Sequence, residues 1–182
     1  MTAAPDKNSI CSCGSTKRYK HCCQRKHANA AIALNQQAKV ISGWMRLAMQ
    51  ARQAGKLGQA QAIYEKILQI NADDSDALLW MGVVHHQRSN TNESLNCINR
   101  AIRLKPDSSH FQIILGNVYK DLLQFSEAEN AYKSALILSP NNAEASNNMG
   151  VLLCVLKDFS AAAEYFKRAI SIAPRYVDAY NG

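Results

Sequence analysis

The chain has 182 residues, 47% of them apolar and 19% charged, which suits one globular domain with a small appendage and excludes a disordered or collagen-like polymer. No apolar stretch approaches the roughly 18 residues of a membrane span, and residues 1–10 hold no apolar run of a secretory signal, so a cytoplasmic location is the default expectation. The formal charge of +7 sits mostly in residues 1–27, which carry Lys7, Lys17, Arg18, Lys20, Arg25 and Lys26 against Asp6, while the remainder is nearly neutral; a general nucleic-acid-binding surface is therefore not expected.

The first element is a cysteine-rich head. Cys11, Cys13, Cys22 and Cys23 form a C-x-C-x8-C-C array. A reducing compartment disfavours disulfides, and cysteines this close in sequence make poor ones on geometry. Four thiolates suit a tetrahedral zinc ion, with Gly14 permitting a turn after the first pair. Such a site is closed and structural, with no open position for a reacting water, and it needs no fifth ligand from His21 or His27. The run from Cys11 to Cys23, with Gly14, Ser15, Lys17, Tyr19 and Lys20 between the cysteine pairs, resembles the SEC-C zinc knuckle found at the C-terminus of the SecA translocation ATPase. Cys23 stands where that family often has His, Thr16 where it commonly has Gly, and the knuckle here is N-terminal. The resemblance implies Zn2+ on the four cysteines and protein docking through the basic loop Lys17, Arg18, Tyr19 and Lys20. Nucleic-acid contact through the same loop is an alternative, because it mixes cations with an aromatic ring.

Residues 28–40, with Ile32, Leu34 and Val40 among alanines, are expected to be a linker or capping helix, or to extend the first helix that follows. From residue 41 a 34-residue period governs the chain. Gly82, Gly116 and Gly150 keep this step, as do Pro106, Pro140 and Pro174, and Ala101, Ala135 and Ala169. Tyr64, Ile98, Tyr132 and Phe166 keep it too, with Ala60, Ser94, Ala128 and Ala162. Ala128, Tyr132 and Ala135 fall at i, i+4 and i+7, one face of a helix. The small residues admit a neighbouring helix, the glycine marks a close approach, and the proline ends the second helix. Each repeat therefore reads as two antiparallel helices, over 41–74, 75–108, 109–142 and 143–176, with breaks near Leu123–Ser126 and Lys157–Ser160.

These columns resemble the tetratricopeptide repeat, which implies an all-α, right-handed solenoid over 41–182 that follows the small zinc knuckle of residues 1–27. Ala48 and Ala72 replace the glycine and proline in the first repeat, as suits an edge. The resemblance implies a concave surface that binds a protein or peptide. In frame, that surface holds Leu79, Val83 and His86, then Ile113, Asn117 and Lys120, then Asn147 and Val151. Cys97 and Cys154 read as small apolar fillers and His85 and His86 as helix-surface residues.

After Pro174 the chain runs Arg175 to Gly182, in frame the opening of a fifth repeat cut short from about 177. The expectation is a piece of a longer protein, its last repeat uncapped and available for self-association, against a short cap formed by Tyr176, Val177 and Tyr180. No phosphate-binding glycine loop, metalloprotease helix or nucleophile elbow occurs, so no enzyme is expected within these residues. The expected function is a zinc-binding bacterial adaptor without membrane contact. The alternative is the non-catalytic, substrate-recruiting front of a glycosyltransferase or sulfotransferase, which Gln53 to Leu68 loosely resemble.

Overall fold

The computed structural model describes residues 6, 8–11, 13, 15–21 and 23–174. Two compact units result, Met1–Arg46 and Leu47–Gly182. The expected cap or cut repeat at 175–182 and the expected ligand Cys22 lie outside the described residues.

The first unit opens with a tight hairpin. Ile10 and Arg18 form an antiparallel bridge, with Cys11 N donating to Lys17 O at 3.1 Å and Tyr19 N to Ser9 O at 2.9 Å. A short 3-10 helix at Tyr19–His21 turns the chain into α1 (Cys23–Gln53). The expected segment 28–40 is thus helical and continuous with the first repeat's helix.

The second unit is all-helical among the described residues. Its helices are α2 (Leu57–Ile70), α3 (Ser75–Gln87), α4 (Thr91–Leu104), α5 (Ser109–Asp121), α6 (Phe125–Leu138), α7 (Ala143–Val155) and α8 (Phe159–Ile172). The pairs α3–α4, α5–α6 and α7–α8 pack as hairpins, and each hairpin stacks on the next through α2–α3, α4–α5 and α6–α7. Phe125 and Phe159, expected in the breaks, are instead the first residues of α6 and α8.

The columns account for the packing. Ala60, Tyr64 and Ile67 are the buried face of α2, Ser94, Ile98 and Ala101 that of α4, and Ala128, Ala131, Tyr132 and Ala135 that of α6. Full burial of a side chain such as Ile98 contributes roughly 1.5–3 kcal/mol relative to exposure. A Cβ at Gly116 would lie 2.4 Å from Tyr132 Cε1, and one at Gly150 2.7 Å from Phe166 Cε1, so glycine is required by the aromatic opposite it. Phe166 itself is only half-buried, because no further helix among the described residues covers α8.

Two further devices repeat with the same period. Asp74, Ser108 and Asn142 cap α3, α5 and α7, accepting from Ala77 N, Phe111 N and Ala145 N. Each first helix of a pair ends on a left-handed residue: Gly55 (φ 73°), Ser89 (62°), Leu123 (59°) and Lys157 (65°). There the chain makes paired return bonds, such as Leu123 N to Lys120 O at 3.0 Å and Gln124 N to Tyr119 O at 2.9 Å, which satisfy carbonyls freed at the helix end. Adjacent repeats are tied by Arg100, which donates to Ala72 O, and by Arg168, which donates to Pro140 O.

Candidate functional site

The hairpin and the start of α1 bring three of the four expected metal ligands together. One sulfur each from Cys11, Cys13 and Cys23 lie within 4.8 Å of one another. The Cys11 and Cys23 sulfurs are 3.1 Å apart, a thiol–thiolate hydrogen bond rather than a disulfide. The contact between the two sulfurs lowers the Cys11 pKa to about 6 and raises that of Cys23 to about 12, and hydrogen bonding from the Cys13 backbone also favours the charged form of Cys11. Thiolates are soft donors, and sulfurs around one zinc ion at about 2.3 Å would lie roughly 3.8 Å apart, so small adjustments of these three would place them on a single ion. Cys11 is buried and Cys13 exposed, so one edge of the cluster is open to solvent.

The basic loop borders this cluster unevenly. Lys17 lines a pocket of about 400 Å³ with Cys13, Ser15, His21 and Cys23. Lys17, Arg18 and Lys20 are exposed and Tyr19 is half-buried. Expected as a non-ligand, His21 lines the same pocket as Cys13 and Cys23 but is not part of the sulfur cluster, and His27 does not line the pocket.

On the repeat unit, α3, α5 and α7 line a concave pocket of about 320 Å³. Its apolar wall is Trp80, Val83, Ile114 and Val118. His86, Gln87, His110, Asn117, Asp121 and Glu144 supply the polar groups. Of the expected groove residues, Val83, His86 and Asn117 therefore meet in one pocket, while Lys120 and Val151 are half-exposed outside its lining. Leu79 and Ile113 are corrected: both are fully buried, because their helix face packs against neighbouring helices and is closed to a partner. Asn147 is 8% exposed and almost equally closed.

The polar groups are ordered. His86 Nε2 lies 3.1 Å from Asp121 Oδ2, joining consecutive repeats. Asn117 Oδ1 accepts from Tyr132 Oη at 2.7 Å and from Asn148 Nδ2 at 3.1 Å, which fixes its amide. The Arg52 guanidinium lies 4.7 Å from the Trp80 ring centroid, and His110 stands 6.0 Å from the same ring at a tilt of 53°. Trp80, His110, Asp121 and Glu144 escaped the sequence reading, although the shared 34-residue column of Trp80 and Ile114, and that of His110 and Glu144, were there to be found.

Cys97 is half-buried, and burial pushes its thiol pKa up, as befits a packing residue. No helix among the described residues is long and apolar enough to cross a membrane.

A stack of helical hairpins with a structured concave pocket defines a repeat scaffold of the kind that binds other proteins. Two sequence profiles described as tetratricopeptide repeat match residues 51–118 and 115–177, and the chain belongs to that family. In fold it is similar to PilF of Pseudomonas aeruginosa, at 18% identity and TM-score 0.70 over 76% of this chain and 64% of that one. It is also similar to TTC0263, a thermophilic tetratricopeptide repeat protein of Thermus thermophilus, at 19% identity and TM-score 0.67 over 74% and 75% of the two chains. A Thermobaculum terrenum O-GlcNAc transferase matches at 26% identity and TM-score 0.60, over 64% of this chain and 22% of that one. The chain thus spans less than two thirds of the PilF it resembles and under a quarter of the transferase. No curated protein sequence matches it.

Proposed function

We propose that this chain is a zinc-binding adaptor that recruits a protein or peptide into the concave groove of its repeats. The observation that carries the reading is the pocket formed by α3, α5 and α7, where the half-buried Trp80 and Val83 lie beside an anchored Asn117 amide. Apolar surface flanked by a few fixed polar groups suits a peptide or a partner helix. In this reading Cys11, Cys13, Cys22 and Cys23 hold one zinc ion, and the loop from Lys17 to Lys20 is a second docking surface. Zinc analysis of the purified protein tests the head: one ion per chain is expected, lost in a Cys11→Ser, Cys23→Ser double variant whose helix content is unchanged. A metal-free protein with oxidised cysteines would overturn it. Val83→Arg tests the groove, since a partner isolated with the wild-type chain should no longer be retained.

A second reading has these residues recruiting substrates for a glycosyltransferase encoded further along the same chain. The similarity to the repeat region of an O-GlcNAc transferase favours it. The size of the native protein in its source cells distinguishes the two readings: a species near 20.1 kDa supports the free adaptor and a much larger one the recruiting front.

A further inference from the structure

The formal charge of the chain is concentrated in residues 1–27 and the repeats are nearly neutral, but the groove is locally acidic: its lining contains Asp121 and Glu144 and no lysine or arginine. Asp121 is partly engaged, with His86 at 3.1 Å and Lys120 Nζ 3.9 Å from its other oxygen. Glu144 makes no hydrogen bond or ion pair among the described residues, and it lies half-buried at the edge of an apolar wall.

An apolar side chain entering here would remove water from an unpaired carboxylate, and an acidic one would add repulsion; both are unfavourable. A cation on a long aliphatic stem meets every requirement of the site. Its methylenes would cover Trp80 and Val83 while its head reached the carboxylates. The Arg52 guanidinium already lies 4.7 Å from the Trp80 ring centroid, so an incoming cationic head is directed to the carboxylates and not to the ring.

We propose that the groove captures a lysine or arginine side chain of a partner polypeptide, with Glu144 as its principal counter-charge and Asp121 as the second. This rests on the groove being the partner site, and the test separates the two ideas. The full chain is used to select binders from a phage-displayed library of random peptides, alongside Glu144→Gln, Glu144→Lys and Val83→Arg variants whose helix content matches the wild type. Wild-type protein should recover peptides enriched in lysine or arginine. Glu144→Gln should weaken a recovered peptide about tenfold, ~1.4 kcal/mol, and Glu144→Lys should switch recovery toward acidic peptides. Peptides that lose binding to Val83→Arg, yet lack basic residues or ignore Glu144→Gln, would overturn the basic preference and leave the groove standing. Recovery of no peptide, or only of peptides that bind Val83→Arg unchanged, would overturn both.

Discussion

Replacing Gly82 with alanine tests whether the glycine column exists for close helix packing. A Cβ there would lie 2.5 Å from Ile98 Cγ1, 2.9 Å from the Ser94 carbonyl oxygen and 3.3 Å from Cys97 Cβ. Ile98 can rotate away, but the Ser94 carbonyl belongs to the α4 backbone and moves only with the helix. Alanine gains about 1 kcal/mol of helix propensity. Overpacking costs roughly 1–3 kcal/mol, and a main-chain obstacle puts this site at the upper end. The net loss is therefore about 2 kcal/mol. At roughly 3–5 °C per kcal/mol for a unit of this size, Tm should fall by about 6–10 °C, read by thermal loss of helical circular dichroism. Gly116→Ala should cost about as much, since the Tyr132 ring in its way is held by Asn117. Gly150→Ala should cost less, because Phe166 is half-exposed and free to swing. Gly58, exposed in α2 with nothing within 4 Å of a built Cβ, is the control, and its alanine variant should be neutral or up to about 1 kcal/mol more stable. If Gly82→Ala melted with Gly58→Ala, close approach would not be the reason for the column.

The left-handed turn column gives the opposite sign. Leu123 is 73% exposed with φ 59°, so Leu123→Gly should relieve a backbone cost of about 1–2 kcal/mol, offset by about 0.5–1 of glycine entropy, and raise Tm slightly; Gly55→Ala should lower it. Tyr132→Phe deletes the bond to Asn117 and should cost about 1 kcal/mol by denaturant unfolding. Tyr64→Phe should cost less than Tyr132→Phe, because the buried Tyr64 hydroxyl has only the Arg52 guanidinium beside it and no hydrogen bond of normal geometry; equal losses in the two variants would contradict this. In metal-stripped, reduced protein, Cys11 becomes a thiolate as pH rises through about 6 while Cys23 keeps its proton to about 12. Thiolate ultraviolet absorbance should therefore appear near pH 6, vanish in Cys11→Ser, and move to higher pH in Cys23→Ala, which removes the hydrogen-bonding sulfur.

The repeat was legible because its packing columns admit few chemistries. Ala60, Ser94, Ala128 and Ala162 must all be small, and Gly82, Gly116 and Gly150 face side chains that leave no room for a Cβ. The groove was read less well because the first helix of each pair is apolar on several faces at once. Leu79 packs inward while Trp80, the next residue, lines the pocket; both are large and apolar, and periodicity alone does not rank them. The turn column was invisible for another reason. Gly55, Ser89, Leu123 and Lys157 share a backbone conformation set by the return hydrogen bonds and no side-chain chemistry. In the head, the spacing of the cysteines sufficed to group Cys11, Cys13 and Cys23, but not to show that His21 shares a pocket with two of them.

Packing and recognition occupy different columns, which explains why the fold identifies the family without identifying the partner. Across the repeats the packing positions keep their character, as in Tyr64, Ile98, Tyr132 and Phe166, while the first-helix column Met49, Val83, Asn117 and Val151, of which Val83 and Asn117 line the pocket, changes freely. The two sets meet at one point. Fifteen residues after Val83 and Val151 come Ile98 and Phe166, neither with a hydroxyl; fifteen after Asn117 comes Tyr132, from whose hydroxyl Asn117 accepts a hydrogen bond. Fifteen residues before Tyr64 the chain has Met49, which offers no such acceptor, and the buried Tyr64 hydroxyl lies beside Arg52 without a hydrogen bond of normal geometry. A groove residue that must also satisfy a buried hydroxyl is constrained from both sides. Asn117 is therefore a poor place to alter specificity, and Glu144, which makes no hydrogen bond or ion pair among the described residues, is a good one.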